Sequence, residues 1–92
     1  MLEKSLLIAA RHGLHARTAG RLAAVVRGLA AEVELARGEE VADAASILDV
    51  LALGCSEGSP LTIRARGPEA AVALEAVAAL LTNGALNEQE ER

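Results

Sequence analysis

The sequence contains no phenylalanine, tyrosine or tryptophan among its 92 residues, and it has only two prolines and one cysteine. A core without aromatic rings must be built from alanine, leucine, valine and isoleucine, which favours helices packed closely on a sheet. The same absence removes the stacking platforms on which proteins usually bind single-stranded nucleic acid. Since the formal net charge is −4 as well, we expect no nucleic-acid partner. The length is that of one small domain.

The single cysteine, Cys55, cannot form a disulfide within the chain, which is typical of proteins in a reducing compartment. We interpret Cys55 as a structural residue. Residues 1–9 lack the basic start and long apolar stretch of a signal peptide, and no apolar run approaches membrane-spanning length. The sequence therefore predicts a cytoplasmic protein without a membrane-inserted segment.

Charge is distributed unevenly along the chain. Between Lys4 and Ala31 every charged residue is an arginine, namely Arg11, Arg17, Arg21 and Arg27. Most acidic residues follow from Glu32 onward. One edge of an acidic protein is therefore basic, and such an edge attracts an anion or an acidic partner. A solvated helix face without a partner explains the pattern equally well.

The spacing of apolar residues predicts four strands and three helices. The predicted strands cover residues 2–9, 32–37, 40–44 and 61–66, of which the second and third form a hairpin. One helix is predicted from Ala16 to Leu29, and a short one from its N-cap Ser46 to Leu53. The last helix follows Gly67 and Pro68 and is closed by Asn83 and Gly84. We expect a domain over residues 1–84 and a frayed, charged tail over residues 85–92.

These elements define the fold class. The first helix has an apolar stripe at Ala19, Leu22, Ala23, Val26 and Ala30, and the last at Ala70, Ala73, Leu74, Val77 and Leu81. The first strand mixes alternation with an apolar run and is expected to be largely buried, whereas alternating strands leave one sheet face wet. The helices must then cover the other face. The order β-α-β-β-α-β-α thus predicts a two-layer α+β domain with a mostly antiparallel sheet.

Both histidines lie in the stretch RHGLHARTAG, residues 11–20. If the long helix starts at Ala16, His15 is its N-cap, and the first-turn N–H groups of Ala16, Arg17 and Thr18 have no partner within the helix. The positive end of the helix dipole favours phosphate there. A neutral histidine at this point has a ring nitrogen able to attack phosphorus. The alternative is an ordinary surface histidine beside a turn, which is also how we interpret His12.

The short second helix is apolar on more than one face. Val50 and Leu53 lie one turn apart and are expected to face the sheet. Ile47, Leu48 and Leu51 form a second cluster that cannot also point inward, and we call these three residues the apolar patch. An exposed apolar patch beside a basic helix is typical of a docking surface. A loop that covers the patch is the other interpretation.

The chain resembles the histidine-containing phosphocarrier protein (HPr) family of the phosphoenolpyruvate-dependent sugar phosphotransferase system. GLHAR at 13–17 matches the active-site motif of that family, and SIL at 46–48 with LG at 53–54 matches its regulatory-serine region. The two motifs are in register without a gap, as are Gly58 and Gly67, so the resemblance covers residues 2 to 84. It implies an open-faced β-sandwich, in which three helices cover one side of a four-stranded antiparallel sheet.

The resemblance also implies a function. His15 would accept a phosphoryl group on Nδ1 from phosphorylated Enzyme I and pass it to IIA domains of sugar permeases, with Arg17 in contact with the phosphoryl group. Ser46 is the position that a dedicated kinase modifies in some bacteria. The expected docking residues are Gly20, Arg21, Arg27 and the three residues of the apolar patch, Ile47, Leu48 and Leu51. A monomeric carrier without metal, cofactor or catalytic turnover is implied.

Three positions depart from the family pattern. Thr18 replaces the usual proline, which should cost about 0.4–1 kcal/mol of pre-organisation and alter rigidity but not function. Asp49, with Ala45 on the other side, adds negative charge beside Ser46 that opposes phosphorylation, and a helix N-cap explains this serine as well. Gly20 costs about 1 kcal/mol inside a helix, and it is either tolerated or allows a partner to approach closely.

Other functions remain open. A paralogous carrier in a nitrogen-related or dihydroxyacetone-related branch would use the same histidine chemistry. A regulatory module would bind a partner through the apolar patch and would have no need of His15. A small hydrolase that uses Cys55 or Ser46 lacks any triad signature. The intact pair His15 and Arg17 favours the carrier.

Overall fold

Four strands and three helices follow one another in the predicted order β-α-β-β-α-β-α. The structure, a computed structural model, describes residues 1–9 and 13–82. The predictions for His12, for Asn83 and Gly84 and for the tail at 85–92 lie outside the described residues. The elements are β1 (Leu2–Leu7), α1 (Ala16–Arg27), β2 (Glu32–Arg37), β3 (Glu40–Asp43), α2 (Ile47–Ala52), β4 (Pro60–Arg66) and α3 (Ala70–Thr82).

The strands form one antiparallel sheet in the order β1-β4-β2-β3. β2 and β3 form the predicted hairpin, and the two central strands align Leu35 of β2 with Ile63 of β4. These two side chains are fully buried, whereas their neighbours Glu34 and Arg64, which point the other way, are only partly covered. The sheet is therefore open on one face and covered on the other, as in the predicted open-faced β-sandwich.

The prediction that the first strand is largely buried is wrong. β1 is an edge strand that pairs only with β4, and Leu7 on its open face is 64% exposed. On the covered face, Lys4 forms an ion pair of 3.6 Å with Glu75 of α3, and its side chain remains 45% exposed. Burial begins only after the strand ends, at Ile8. An edge position leaves one side of a strand without a neighbour, which the apolar pattern alone does not reveal.

The helices match their predicted apolar faces with one exception. α1 ends at Arg27, two residues earlier than predicted, and its C-cap Gly28 donates to the carbonyls of Ala24 and Val25. Ala30 therefore lies beyond the helix and is exposed, so its assignment to the core was wrong. In α3 all five predicted core residues are buried. None of the helices within residues 1–9 and 13–82 is both long and apolar enough to cross a membrane.

The loop that enters α1 is anchored to the chain segment after α2. Leu14 is buried in the core, and its N–H donates to the carbonyl of Cys55 at 3.1 Å. Gly13 adopts a φ of 66°, and a β-carbon there would overlap the Cys55 carbonyl and the backbone of Ser56. Cys55 is itself a buried member of the core, as expected for a structural residue. Together these contacts fix the position of the backbone immediately before His15.

We expect Gly13→Ala to lower the free energy of unfolding by about 2–5 kcal/mol, because it combines a left-handed backbone with a clash against backbone atoms. Gly38→Ala is the matched control, since Gly38 has a φ of 61° but no atom within 4 Å of an added β-carbon. It should lose only about 1–2 kcal/mol. Urea unfolding followed by circular dichroism measures both losses. Equal losses in the two variants would contradict the role assigned to the Gly13–Cys55 approach.

Candidate functional site

His15 is the N-cap of α1, as the sequence predicts. Its backbone is extended (φ −93°, ψ 179°), and its carbonyl accepts the first helical hydrogen bond, from Ala19 at 2.9 Å. The ring turns toward the helix, and Nδ1 accepts the backbone N–H of Arg17 at 3.2 Å. The imidazole thus serves as the capping group of α1, a role that shorter polar side chains usually fill.

One of the three first-turn donors predicted to be open is occupied. The N–H of Arg17 donates to the ring nitrogen of His15 itself, so it is not an open donor in the free protein. The N–H groups of Ala16 and Thr18 have no acceptor among residues 1–9 and 13–82. The start of α1 therefore offers two backbone donors and the positive end of the helix dipole beside Nδ1.

Thr18 contacts the other ring nitrogen of His15. Its Oγ1 lies 3.3 Å from Nε2, and the side chain is only 7% exposed. Sequence reasoning treated Thr18 as a loss of backbone rigidity and missed this contact. The signal was present in the spacing, because the third residue after an N-cap is where a polar side chain reaches back toward the cap.

The helix that His15 caps is positively charged. α1 carries three arginines and no acidic residue. Arg17 is exposed, and within the described parts of the chain its side chain has no ion-pair partner. Arg21 is half-buried on the next turn, and the Nε of Arg27 donates to the carbonyl of Ala45 at 3.1 Å. Arg27, a predicted docking residue, thus also links α1 to the segment that leads into α2.

Ser46 is the N-cap of α2, and its Oγ accepts the backbone N–H of Asp49 at 3.2 Å. Two carboxylates stand at the same helix start. Oδ1 of Asp43 accepts the N–H of Ala45 at 2.9 Å, and Oδ2 of Asp49 accepts the N–H of Asp43 at 3.4 Å. The hydroxyl is therefore engaged in capping and lies among negative charges.

The apolar patch is divided between surface and core. Val50 and Leu53 are buried against the sheet, as predicted. Leu48 is 78% exposed and Ile47 is 38% exposed, whereas Leu51 is half-buried and packs against the core. Since α2 packs directly on α1, the exposed part of the patch lies on the helix next to the one that His15 caps.

Gly20 lies in the second turn of α1, and a β-carbon there would meet no atom within 4 Å. No packing requirement explains this glycine, so the surface above it is open for a partner to approach.

Within the described residues no group of three histidine, cysteine, aspartate or glutamate side chains is arranged to hold a metal ion.

Comparisons with known proteins agree on one family. Residues 2–83 match the family described as PTS HPr component phosphorylation site. The chain is 39% identical over 80 residues to phosphocarrier protein NPr of Shewanella violacea, which covers 87% of this chain and 88% of that protein. It is also 32% identical over 83 residues to phosphocarrier protein HPr of Cupriavidus necator, and the matched region covers 90% of this chain and 93% of that protein. Among solved structures, HPr-C-His from Thermoanaerobacter tengcongensis superimposes with a TM-score of 0.86 at 25% identity, covering 91% of this chain and 94% of that one.

We expect Ser46→Ala to destabilise the fold by about 1 kcal/mol, because the N–H of Asp49 loses its capping acceptor. Ser46→Asn is the matched control, since asparagine caps helices about as well as serine and adds no charge. Its free energy of unfolding, measured by urea titration, should stay within a few tenths of a kcal/mol of the parent, on the order expected for equivalent caps. An asparagine variant as unstable as the alanine variant would argue against capping as the role of Ser46.

Proposed function

The chain belongs to the HPr family of phosphocarrier proteins, and from that membership we propose that Nδ1 of His15 accepts a phosphoryl group from phosphorylated Enzyme I and passes it to a IIA domain. The observation that carries this proposal is the hydrogen bond from the N–H of Arg17 to Nδ1. An acceptor nitrogen has a lone pair in place of a proton. The same lone pair is the nucleophile that phosphorus requires.

Phosphorylation would exchange the partner of the Arg17 N–H. When the N–P bond forms, the lone pair of Nδ1 is used and can no longer accept this hydrogen bond. The N–H then lies next to the phosphoryl oxygens, which join the open donors of Ala16 and Thr18 at the positive end of α1. The exposed guanidinium of Arg17 supplies further positive charge to the same group.

A carrier must release the group as readily as it accepts it. In this arrangement the N–H of Arg17 has an acceptor in both states, a nitrogen in one and an oxygen in the other. The hydrogen bond therefore contributes to both states instead of to the loaded state alone. For this donor, only the greater strength of a bond to a charged oxygen favours the loaded state.

The partners would dock beside His15 on α1 and α2. Leu48 and Ile47 present exposed apolar surface, and Arg17 and Arg21 supply charge on the adjoining helix. Gly20 leaves the surface of α1 at its second turn without a side chain. Apolar contacts at the centre and charges around them are the usual composition of a transient interface.

Delivery to a sugar-specific IIA domain is our first assignment, and the nitrogen-related branch is the second candidate. The second is favoured by the 39% identity to a protein named NPr. The same histidine chemistry serves both branches, so they differ in the surface that recognises donor and acceptor. Rates of phosphorylation by a sugar-type and a nitrogen-type Enzyme I would distinguish them, and the faster donor identifies the branch.

For Ser46 we propose a structural role. Its hydroxyl accepts the N–H of Asp49, and the carboxylates of Asp43 and Asp49 stand at the same turn. A phosphoryl group at this position would stand beside two like charges, and their repulsion would oppose its addition. We accordingly expect no efficient modification of Ser46 by a kinase.

We predict that incubation with Enzyme I and radiolabelled phosphoenolpyruvate gives a label that is labile in acid and stable in base. His15→Ala should abolish the label, because the nucleophile is lost, whereas His12→Ala, which removes the only other histidine of the chain, should retain it. Both donor types belong in the assay. Label that survives His15→Ala would overturn the proposal. An unlabelled parent protein would overturn it in favour of a binding module.

We predict that Leu48→Glu weakens docking of Enzyme I about tenfold or more, since it places a charge at the most exposed residue of the patch. Val72→Glu is the matched control, because Val72 is 55% exposed on α3, which packs on α1 but is not part of the patch. Its effect on the KM for the carrier should be negligible. Equal effects of the two substitutions, or none from Leu48→Glu, would remove the patch from the interface.

A further inference from the structure

Thr18 places a hydroxyl group in the buried part of the protein. Within residues 1–9 and 13–82 it is the only polar or charged side chain that is buried. Its Oγ1 lies 3.3 Å from Nε2 of His15. A buried polar group is stable only with a hydrogen-bond partner, and here the ring of His15 is that partner.

The two contacts of the ring together determine its tautomer. A neutral imidazole carries one proton, on one nitrogen only. Nδ1 accepts the N–H of Arg17, so the proton cannot be on Nδ1, where two hydrogens would face each other. Nε2 therefore carries the proton and donates it to Oγ1 of Thr18. A backbone donor on one side and a hydroxyl acceptor on the other favour the same tautomer.

We propose that Thr18 is a positioning residue for phosphoryl transfer, whose hydroxyl holds His15 in the Nε2–H tautomer with the lone pair on Nδ1. This inference rests on the proposed function. In the step itself the lone pair of Nδ1 forms the N–P bond, and the bond from phosphorus to the donor breaks with its electron pair left on the donor. Nε2 keeps its proton throughout, so no base is needed.

The same hydroxyl favours the loaded state of the ring. After transfer the imidazole has a substituent on Nδ1 and a proton on Nε2, and it carries a positive charge. A hydrogen bond donated by a charged group is about twice as strong as a neutral one. Oγ1 of Thr18 therefore stabilises the ring more as the N–P bond forms than before it, which is the condition for an effect on rate.

The tautomer is read directly from the ring nitrogens. In protein with ¹⁵N-labelled histidine, at a pH where the ring is neutral, long-range ¹H–¹⁵N correlation should show Nε2 as the protonated nitrogen and Nδ1 as the unprotonated one. Thr18→Val keeps the shape of the side chain and removes the acceptor. The shifts of the two nitrogens should move toward each other, and the rate of phosphorylation should fall about 3- to 10-fold.

Thr18→Ser is the rescue control, because it restores the hydroxyl, and both readouts should return toward those of the parent. Amide spectra report whether each variant is folded. If the valine variant does not fold, the pair Thr18→Ala and Thr18→Ser makes the same comparison without the branched side chain. A parent ring protonated on Nδ1, or a folded valine variant with unchanged shifts and rate, would overturn the proposal.

The labelling assay and the NMR measurement together distinguish a failure of the role of Thr18 from a failure of the carrier function. A parent that takes no label from any Enzyme I, yet shows Nε2 protonated, overturns the carrier function and with it the transfer role of Thr18. A parent that is labelled on His15 with Nδ1 protonated overturns the role of Thr18 alone. Label, an Nε2–H ring and a hydroxyl-dependent rate together support both.

Discussion

The hydrogen bond from the backbone N–H of Arg17 to Nδ1 of His15 is the interaction on which the site depends. It caps α1, sets the orientation of the ring and requires a lone pair on the nitrogen that we propose as the nucleophile. A capping bond and a reactive group are usually separate features of a protein. Here they are one contact, so the local stability of the helix start and the readiness of the ring for chemistry are coupled.

The hydrogen bond is held in place by the packing behind it. Leu14 is buried in the core, and Gly13 passes so close to Cys55 that no side chain fits between them. His15 therefore leaves the core with a defined direction, and α1 continues it with its apolar side against the sheet. His15 itself is partly exposed, next to these buried residues.

Much of this organisation follows from local patterns in the chain. The hairpin of β2 and β3 and the apolar stripe of α3 match their predicted positions, since alternation and helical spacing each reflect burial on one side. The N-cap role of His15 was predictable because GLHAR places glycine before the histidine and a good helix former after it. The features that were missed depend on neighbours distant in the sequence or on side-chain rotation. The edge position of β1 is set by its pairing with β4 alone, and the partial burial of Leu51 depends on its packing against the core. The spacing of Thr18 from the N-cap allows its contact with the ring, but the contact also requires the rotamer of His15, which the spacing does not specify.

In the function that we propose, Nδ1 is the phosphorylated nitrogen, and the Arg17 N–H moves from this nitrogen to the phosphoryl group. The most direct test is NMR on the phosphorylated, ¹⁵N-labelled protein, in which ³¹P–¹⁵N coupling identifies the nitrogen bonded to phosphorus. We predict a coupling to Nδ1 of His15, accompanied by a downfield shift of the Arg17 amide proton as its acceptor changes from nitrogen to a charged oxygen. A coupling to Nε2, or an Arg17 amide resonance that does not change on phosphorylation, would contradict the account.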